Sequence, residues 1–413
     1  MSSWIRTAAA LAAGLVVGAA ATLAFQNDGV IPEQQRTSGA HVHNVEPAST
    51  PERPTTVLAW VPAGIPAGFG DLVRALPDVD RVTVVAEDNA WMVGSSSAEG
   101  DVVDRPPAPY MIPIDAAAVD PATFGDFLPL SDRSELVALR RGKGILGATS
   151  AELRGLGPGS VMRFQGGTEV TIAAVFPDEL VGAAELMVSR ATGARIGVTH
   201  DRYLLLRPSG KHPPTSNRIA RTLRTLLPAK GSPYQDVVVR SPGETPYFRQ
   251  GDAVLPPVLI KALFGEFSAR PDPARPGYLR IDPAWVRQHI VTTTVPVLGT
   301  VTCNRGLIPQ LRAAMQTLVR KGLADTIHAY NGCYAPRFIN RIPTNPISHH
   351  AWGIAFDCNA DVNPVGVKPD QDPRLVRVLE QAGFIWGGSF AVPDGNHFEY
   401  RMSPTGASES DTP

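Results

Sequence analysis

The run Ser348-His349-His350-Ala351-Trp352-Gly353-Ile354-Ala355-Phe356-Asp357, followed a little under forty residues later by Asp394-Gly395-Asn396-His397-Phe398-Glu399, decides how the last third of this chain is read. A catalytic zinc ion takes nitrogen and oxygen donors in a tetrahedral set, three from side chains, with the fourth position left for water. His350, Asp357 and His397 supply three such donors. The seven-residue step from His350 to Asp357, broken by Gly353, suits a loop that runs into a strand. On that strand Ala355 and Asp357 share one face and Phe356 points to the other.

The pattern Ser348-x-His350-x-x-Gly353-x-Ala355-x-Asp357 with Asp394-x-x-His397 resembles the signature of the zinc D-Ala-D-Ala carboxypeptidase (VanY-like) and L-alanyl-D-glutamate peptidase family, which acts on bacterial cell-wall peptides. The likeness spans about residues 253–403. FGEF (264–267), the segment around Cys303 and NGCYAPR (331–337) resemble the L-alanyl-D-glutamate branch. The resemblance implies that His350, Asp357 and His397 bind zinc, that the acidic residue three before the last His is the general base, and that an Arg ahead of the first ligand holds substrate and oxyanion. Carried onto this sequence, the base is Asp394 and the Arg is Arg337, preferred over Arg341. Asp394 stands where the carboxypeptidase branch generally carries Glu, which favours the endopeptidase branch while leaving both bonds open.

The chemistry agrees with that assignment. Zinc lowers the pKa of a coordinated water to near ~7, so a carboxylate within reach can take its proton as it attacks a peptide carbonyl. A guanidinium near the carbonyl oxygen stabilises the charge that gathers there in the transition state. Glu399, two residues after His397 on a strand, shares its face and is expected to orient it by a hydrogen bond, as a supporting residue beside Ser348; it is also the second candidate for the base. His349 is treated as a neighbour, and Trp352, Trp386 and Tyr400 as core aromatics.

Moving outward, Leu311, Met315, Leu318 and Val319 recur at helical spacing before Gly322 and predict a helix over 309–321. Asp372-Pro373 supplies an N-cap and an N1 proline, and Leu375, Val376 and Leu379 form an apolar stripe that ends at Gly383, predicting a helix over 373–382. IAFD (354–357), FIWG (384–387) and HFEY (397–400) read as strands. Residues 253–403 are therefore expected to form an α+β zinc peptidase domain, with 404–413 a disordered tail. Further upstream, VLAW (57–60), VTVVA (82–86), VMRF (161–164) and VTIAAVF (170–176) read as strands, with Gly166-Gly167 joining the last two. They make 57–207 a β-rich domain of unassigned role. Its stretch around 148–176 slightly resembles the small β-barrel modules of extracytoplasmic domains in membrane-anchored permease partners. Glu87-Asp88-Asn89-Ala90-Trp91 reads as a turn after a strand, and 208–252 as a Pro-rich connector with a short helix over 219–227.

Thr7–Phe25 carries no charge, follows Arg6 and ends at Gln26-Asn27-Asp28, which reads as an export signal. At this length it serves equally as a cleaved signal peptide or as a membrane anchor, so residues 1–25 are assigned to either and 26–56 to a flexible linker. The body is expected to be extracytoplasmic, anchored to the cell membrane or secreted to the wall. The chain has 413 residues, 38 Lys plus Arg against 39 Asp plus Glu, and 38 Gly and 39 Pro. The balanced charge excludes a basic nucleic-acid binder, and the Gly and Pro content excludes a coiled coil. Cys303 and Cys333 sit thirty residues apart and can pair, steadying the loop that bears Arg337, with two reduced thiols as the alternative. Cys358 is expected to be a buried, unpaired thiol.

The expected partner is the peptidoglycan stem peptide, with a protein partner through 57–207 as a further possibility. Two rival readings differ in class. One is a metal-binding but inactive domain that only binds wall or partner protein, as in the hedgehog signalling domain. The other makes the β-rich domain a regulator of a membrane complex and the peptidase its output.

Overall fold

The computed structural model describes residues 56–210, 215–227, 233–241, 249–252 and 255–401. The expected leader, residues 26–55 of the linker and the tail lie outside them. Among the described residues no helix is long and apolar enough to cross a membrane.

The first half is built on nine strands: β1 Val57–Trp60, β2 Val79–Ser96, β3 Ile112–Val119, β4 Gly144–Gly147, β5 Val161–Phe164, β6 Glu169–Phe176, β7 Leu186–Ser189, β8 Asp201–Pro208 and β9 Val238–Arg240. They run in the order β3-β7-β4-β6-β5-β2-β8-β1-β9, and β3 also pairs with β2. That extra pairing closes six strands into a barrel, which removes their free edges. Met92, Ile114, Met162, Phe164, Ile172 and Leu186 are fully or almost fully buried in one cluster. Gly166 and Gly167 make the β5–β6 turn with φ of 88° and 83°, a backbone that glycine adopts without steric cost.

Glu87–Trp91 is not a turn. It lies inside β2, paired residue by residue with Ala117–Pro113 of β3. Nor is the connector a plain linker. It contributes β9, paired antiparallel to β1, and helix α1, Ser216–Thr225, capped by the Thr215 hydroxyl, a few residues ahead of the expected span.

In the second half, α2 (Pro257–Phe264) leads to β10 (Ala269–Pro271), β11 (Leu279–Ile281) and the hairpin β12 (Ile290–Val295)–β13 (Gly299–Asn304). Then come α3 (Ile308–Arg320), β14 (Tyr330–Gly332), β15 (Ala355–Cys358), α4 (Pro373–Gln381), β16 (Phe384–Trp386) and β17 (His397–Tyr400). The α4 cap is the expected one: Asp372 accepts from Arg374 N at 2.7 Å, with Pro373 at N1. β14-β15-β17-β16 form an antiparallel sheet. Phe356, Phe398 and Phe384 share a core with Leu311, Met315, Leu375 and Leu379 of α3 and α4. The alternate residues Ala355, Asp357, His397 and Glu399 take the opposite face.

Pro54–Pro413 forms one compact unit, and polar links cross between its halves. The Lys261 ammonium, 2% exposed, reaches Glu185 of the barrel at 2.6 Å. Arg154 pairs with Glu185 at 2.8 Å and with Glu266. Met111 and Ala269 exchange backbone hydrogen bonds at 2.7 and 2.8 Å. Buried charges persist only when paired and hydrogen-bonded, and here Lys261–Glu185 and Arg154–Glu266 draw their partners from opposite halves, while Arg154–Glu185 closes the cluster inside the barrel half.

Candidate metal centre

Pairing register brings two of the three donors together. Asp357 of β15 lies directly opposite His397 of β17, so their side chains leave the same face as near neighbours. The third arrives from a single 3₁₀ turn, His349–Ala351, capped by the Ser348 hydroxyl, which accepts from His350 N at 3.4 Å. Gly353 makes the turn into β15 possible: its φ is +68°, and a Cβ there would fall 2.7 Å from Asn304 N of β13. One donor atom from each of His350, Asp357 and His397 lies within 4.8 Å of the others, the one such group among the described residues. His350 Nε2 and His397 Nδ1 are each within 3.2 Å of Asp357 Oδ1.

The far nitrogens of both rings are already engaged. His350 Nδ1 is 2.7 Å from the Cys333 carbonyl, an oxygen that only accepts, so that nitrogen carries the proton and Nε2 turns its lone pair to the centre. His397 Nε2 is 3.1 Å from Glu399 Oε2, which leaves Nδ1 for the centre by the same logic. Two imidazole lone pairs and a carboxylate oxygen are the donors that a zinc-type cation takes. The group therefore fits a metal ion. His349 Nδ1 also lies 2.8 Å from Glu399 Oε2.

The electrostatics follow from this crowding. Burial would raise the Asp357 carboxyl, but His350 and His397 outweigh it and hold it far below the usual range. Burial would lower His397, yet Asp357 and Glu399 push it up to about 10. Glu399, buried, is likewise pulled well down by His349 and His397.

Asp394 and Arg337 lie near enough to the three donors for their charges to act on them. Burial raises the Asp394 carboxyl above its ordinary value, with the His397, His350 and Arg337 charges opposing. Its Oδ1 accepts from Asn396 Nδ2 at 2.7 Å, and its carbonyl accepts from His397 N at 3.1 Å. Burial lowers the Arg337 guanidinium, with Asp357 and Asp394 among the charges that act on it. Arg341 instead faces outward and donates to the Tyr278 hydroxyl at 2.8 Å. Glu399 meets His397 through the nitrogen turned away from the centre, which suits it to orient the ring. Cys303 and Cys333 form a disulfide, with Cα atoms 5.5 Å apart. Cys358 is free and buried, its thiol pushed up to about 12 by burial.

The Cys333 carbonyl was not foreseen as the partner of His350, since a backbone oxygen has no sequence signal. The His349–Glu399 contact was equally hidden, because it joins the 3₁₀ turn to β17 across fifty residues.

His350 of the 3₁₀ turn meets Asp357 and His397 of the sheet face in a group that could hold a metal ion. Residues 342–400 match the family model described as D-alanyl-D-alanine carboxypeptidase, so the C-terminal segment carries that peptidase pattern. The match takes in all three donors and Asp394, and stops short of Arg337. No curated protein matches the chain. Solved structures with some similarity include the periplasmic region of MacB from Actinobacillus actinomycetemcomitans, at 12% identity over 45% of this chain and 88% of that one, TM-score 0.30. The extracellular domain of the ABC-type transporter YknZ from Gram-positive bacteria follows at 14% identity over 45% of this chain and 99% of that one, TM-score 0.28. Neither superposes well enough to inform the reading of this chain.

Proposed function

We propose that the protein is an exported zinc peptidase that hydrolyses peptidoglycan stem peptides, as an L-Ala-D-Glu endopeptidase or a D,D-carboxypeptidase. The observation that carries this is the convergence of His350, Asp357 and His397 within 4.8 Å, with each imidazole's other nitrogen already occupied. Zinc, when bound by these three, supplies Lewis acidity to the attacking water and the scissile carbonyl. The chain does the rest. Asp394, desolvated enough to hold a proton more firmly than an ordinary Asp, accepts one from the attacking water and returns it to the leaving amine. Arg337 is the guanidinium assigned to the charge developing on the carbonyl oxygen. Ser348 holds the turn that carries His350, and Glu399 keeps His397 in its working tautomer. The Cys303–Cys333 disulfide fits an oxidising, extracytoplasmic compartment. Asp394 and Arg337 favour this reading over an inactive metal-binding module, which needs neither.

The test is mass spectrometry of L-Ala-D-Glu-diaminopimelate-D-Ala-D-Ala after incubation with the zinc-loaded chain, with a chelator control. Release of L-Ala identifies the endopeptidase, and loss of one D-Ala the carboxypeptidase. No cleavage of this peptide or of its glycan-linked form, despite one bound zinc per chain, overturns the enzymatic reading in favour of a binding module.

A further inference from the structure

The β-rich half reaches the loop that carries Asp394 by two routes. On the first, Tyr234 is tied to the barrel side through its carbonyl, which accepts from Ala63 N at 2.8 Å. Its hydroxyl is hydrogen-bonded to Asn340, three residues past Arg337. Its ring lies against Gly366, where a Cβ would come 3.7 Å from Cε2. Gly366 N in turn donates to the carbonyl of Pro393, next to Asp394, at 2.6 Å. One tyrosine thus touches the loop that follows Arg337 and, through Gly366, stands one backbone hydrogen bond from the Asp394 loop.

On the second route, Asp252 accepts from Ala391 N at 3.0 Å and pairs with Arg240 of β9 at 3.3 Å. The Arg240 guanidinium sits 4.4 Å over the Trp60 ring of β1. Ala391 itself packs on the core that holds Leu58, Trp60 and Tyr203. The Asp394 loop is therefore docked on the β-rich half.

At this junction lies a cavity of about 800 Å³, within the size range of small-ligand sites. Pro62 and Ile65 line it from the β-rich half, Tyr234 and Gln235 from the connector, and Asn340 and Thr344 from the loop between Arg337 and Ser348. The ionisable groups at its edge are already engaged: Arg202 and His200 meet Asp88 at 2.8 and 3.0 Å, Arg202 also bonds the Thr344 carbonyl, and Asp201 pairs with Arg190 at 2.5 Å. The rest of the lining is an apolar floor that includes Val61, Ile65 and Leu227, with the Gln235 amide, the Thr344 hydroxyl and the Tyr234 ring. Those groups suit a neutral ligand with apolar ring faces and many amide and hydroxyl groups, which is the chemistry of an N-acetylated sugar.

We propose that this junction cavity is the subsite for the acetylated amino sugar from which a wall stem peptide hangs, and that Tyr234 positions that sugar relative to the peptide bond being cut. The proposal rests on the peptidase reading above. It makes the β-rich half part of the substrate site.

The test compares kcat/KM of the zinc-loaded whole chain on a bare stem peptide and on the same peptide carrying an N-acetylmuramyl group, for the native protein, Tyr234→Ala and Tyr234→Phe. The native protein favours the sugar-bearing substrate. Tyr234→Ala lowers that preference roughly tenfold, mostly through KM, and Tyr234→Phe, which keeps the ring, recovers part of it. A native protein without the preference, an unchanged ratio in Tyr234→Ala, or equal losses on both substrates with equal zinc content overturns the proposal and leaves Tyr234 a structural residue. If the native protein cleaves neither substrate, the peptidase reading fails separately. Titration calorimetry of the muramyl peptide into metal-free protein then decides: binding abolished by Tyr234→Ala upholds the subsite, and no binding to the native protein overturns it.

Discussion

Replacing Glu399 with Gln tests whether the metal donors are oriented from behind. In the native protein Glu399 Oε2 faces His397 Nε2 at 3.1 Å and His349 Nδ1 at 2.8 Å, while its Oε1 is buried without a hydrogen-bond partner. Gln has the same length, so its amide oxygen can occupy the Oε2 place and its NH₂ the Oε1 place. The fit survives and the negative charge is lost. A hydrogen bond to a charged acceptor contributes about 1.5–3 kcal/mol and a neutral one about 0.5–1.5. The difference, about 1–1.5 kcal/mol, corresponds to roughly tenfold in affinity. It comes on top of the lost basicity of His397, for a total fall in zinc affinity of about ten- to a hundredfold. Competition against a chromophoric chelator measures this near neutral pH, with circular dichroism as the control for folding. A folded Glu399→Gln protein that binds zinc within twofold of native refutes the idea that Glu399 sets the His397 ring.

The remaining expectations use the same geometry. Asp394→Asn should retain zinc and lose roughly 10²–10⁴ in kcat; normal turnover by the variant removes Asp394 from the mechanism. Because His397, at about 10, holds a proton that a cation must displace, zinc affinity should rise roughly tenfold per pH unit between about pH 6 and 8 and fall as pH drops. Calorimetry in buffers of different ionisation enthalpy should count about one proton released, and a pH-independent affinity contradicts this. Glu87 is pushed from 4.5 up to about 8 by burial and Asp115, against Arg249. Its folded form holds a proton that the unfolded chain surrenders, so that contribution to stability is full below about pH 4.5 and is lost as pH rises toward 8. Tm of the native protein should decline across that window and Glu87→Gln should flatten the decline; parallel curves for the two proteins count against it. Replacing both Cys303 and Cys333 with Ala should cost about 3–4 kcal/mol by chain entropy, and should weaken zinc binding because the Cys333 carbonyl anchors His350 Nδ1; unchanged zinc affinity separates the disulfide from the site.

Much of the second half is written locally. Strand alternation alone puts Asp357 on the face opposite Phe356, the Asp372-Pro373 cap starts α4 where expected, and Gly383 ends it, because capping and side-chain period act over a few residues. The convergence of His350, Asp357 and His397 was legible for the same reason, each sitting in a short motif whose spacing reports backbone geometry. The first half was less so. Glu87–Trp91 looks like a turn because it begins with polar residues, yet it runs through the middle of β2. Its acidic side chains, Glu87 and Asp88, meet Arg249, 162 residues away, and Arg202, 114 residues away. No local period encodes a partner at that distance. Tertiary structure alone closes the barrel through β3 and β2, lays Ala391 on the Trp60 core, and sets Tyr234 between the Arg337 and Asp394 loops. Those contacts join segments far apart in the chain, and only the packing of one half against the other selects which residues meet.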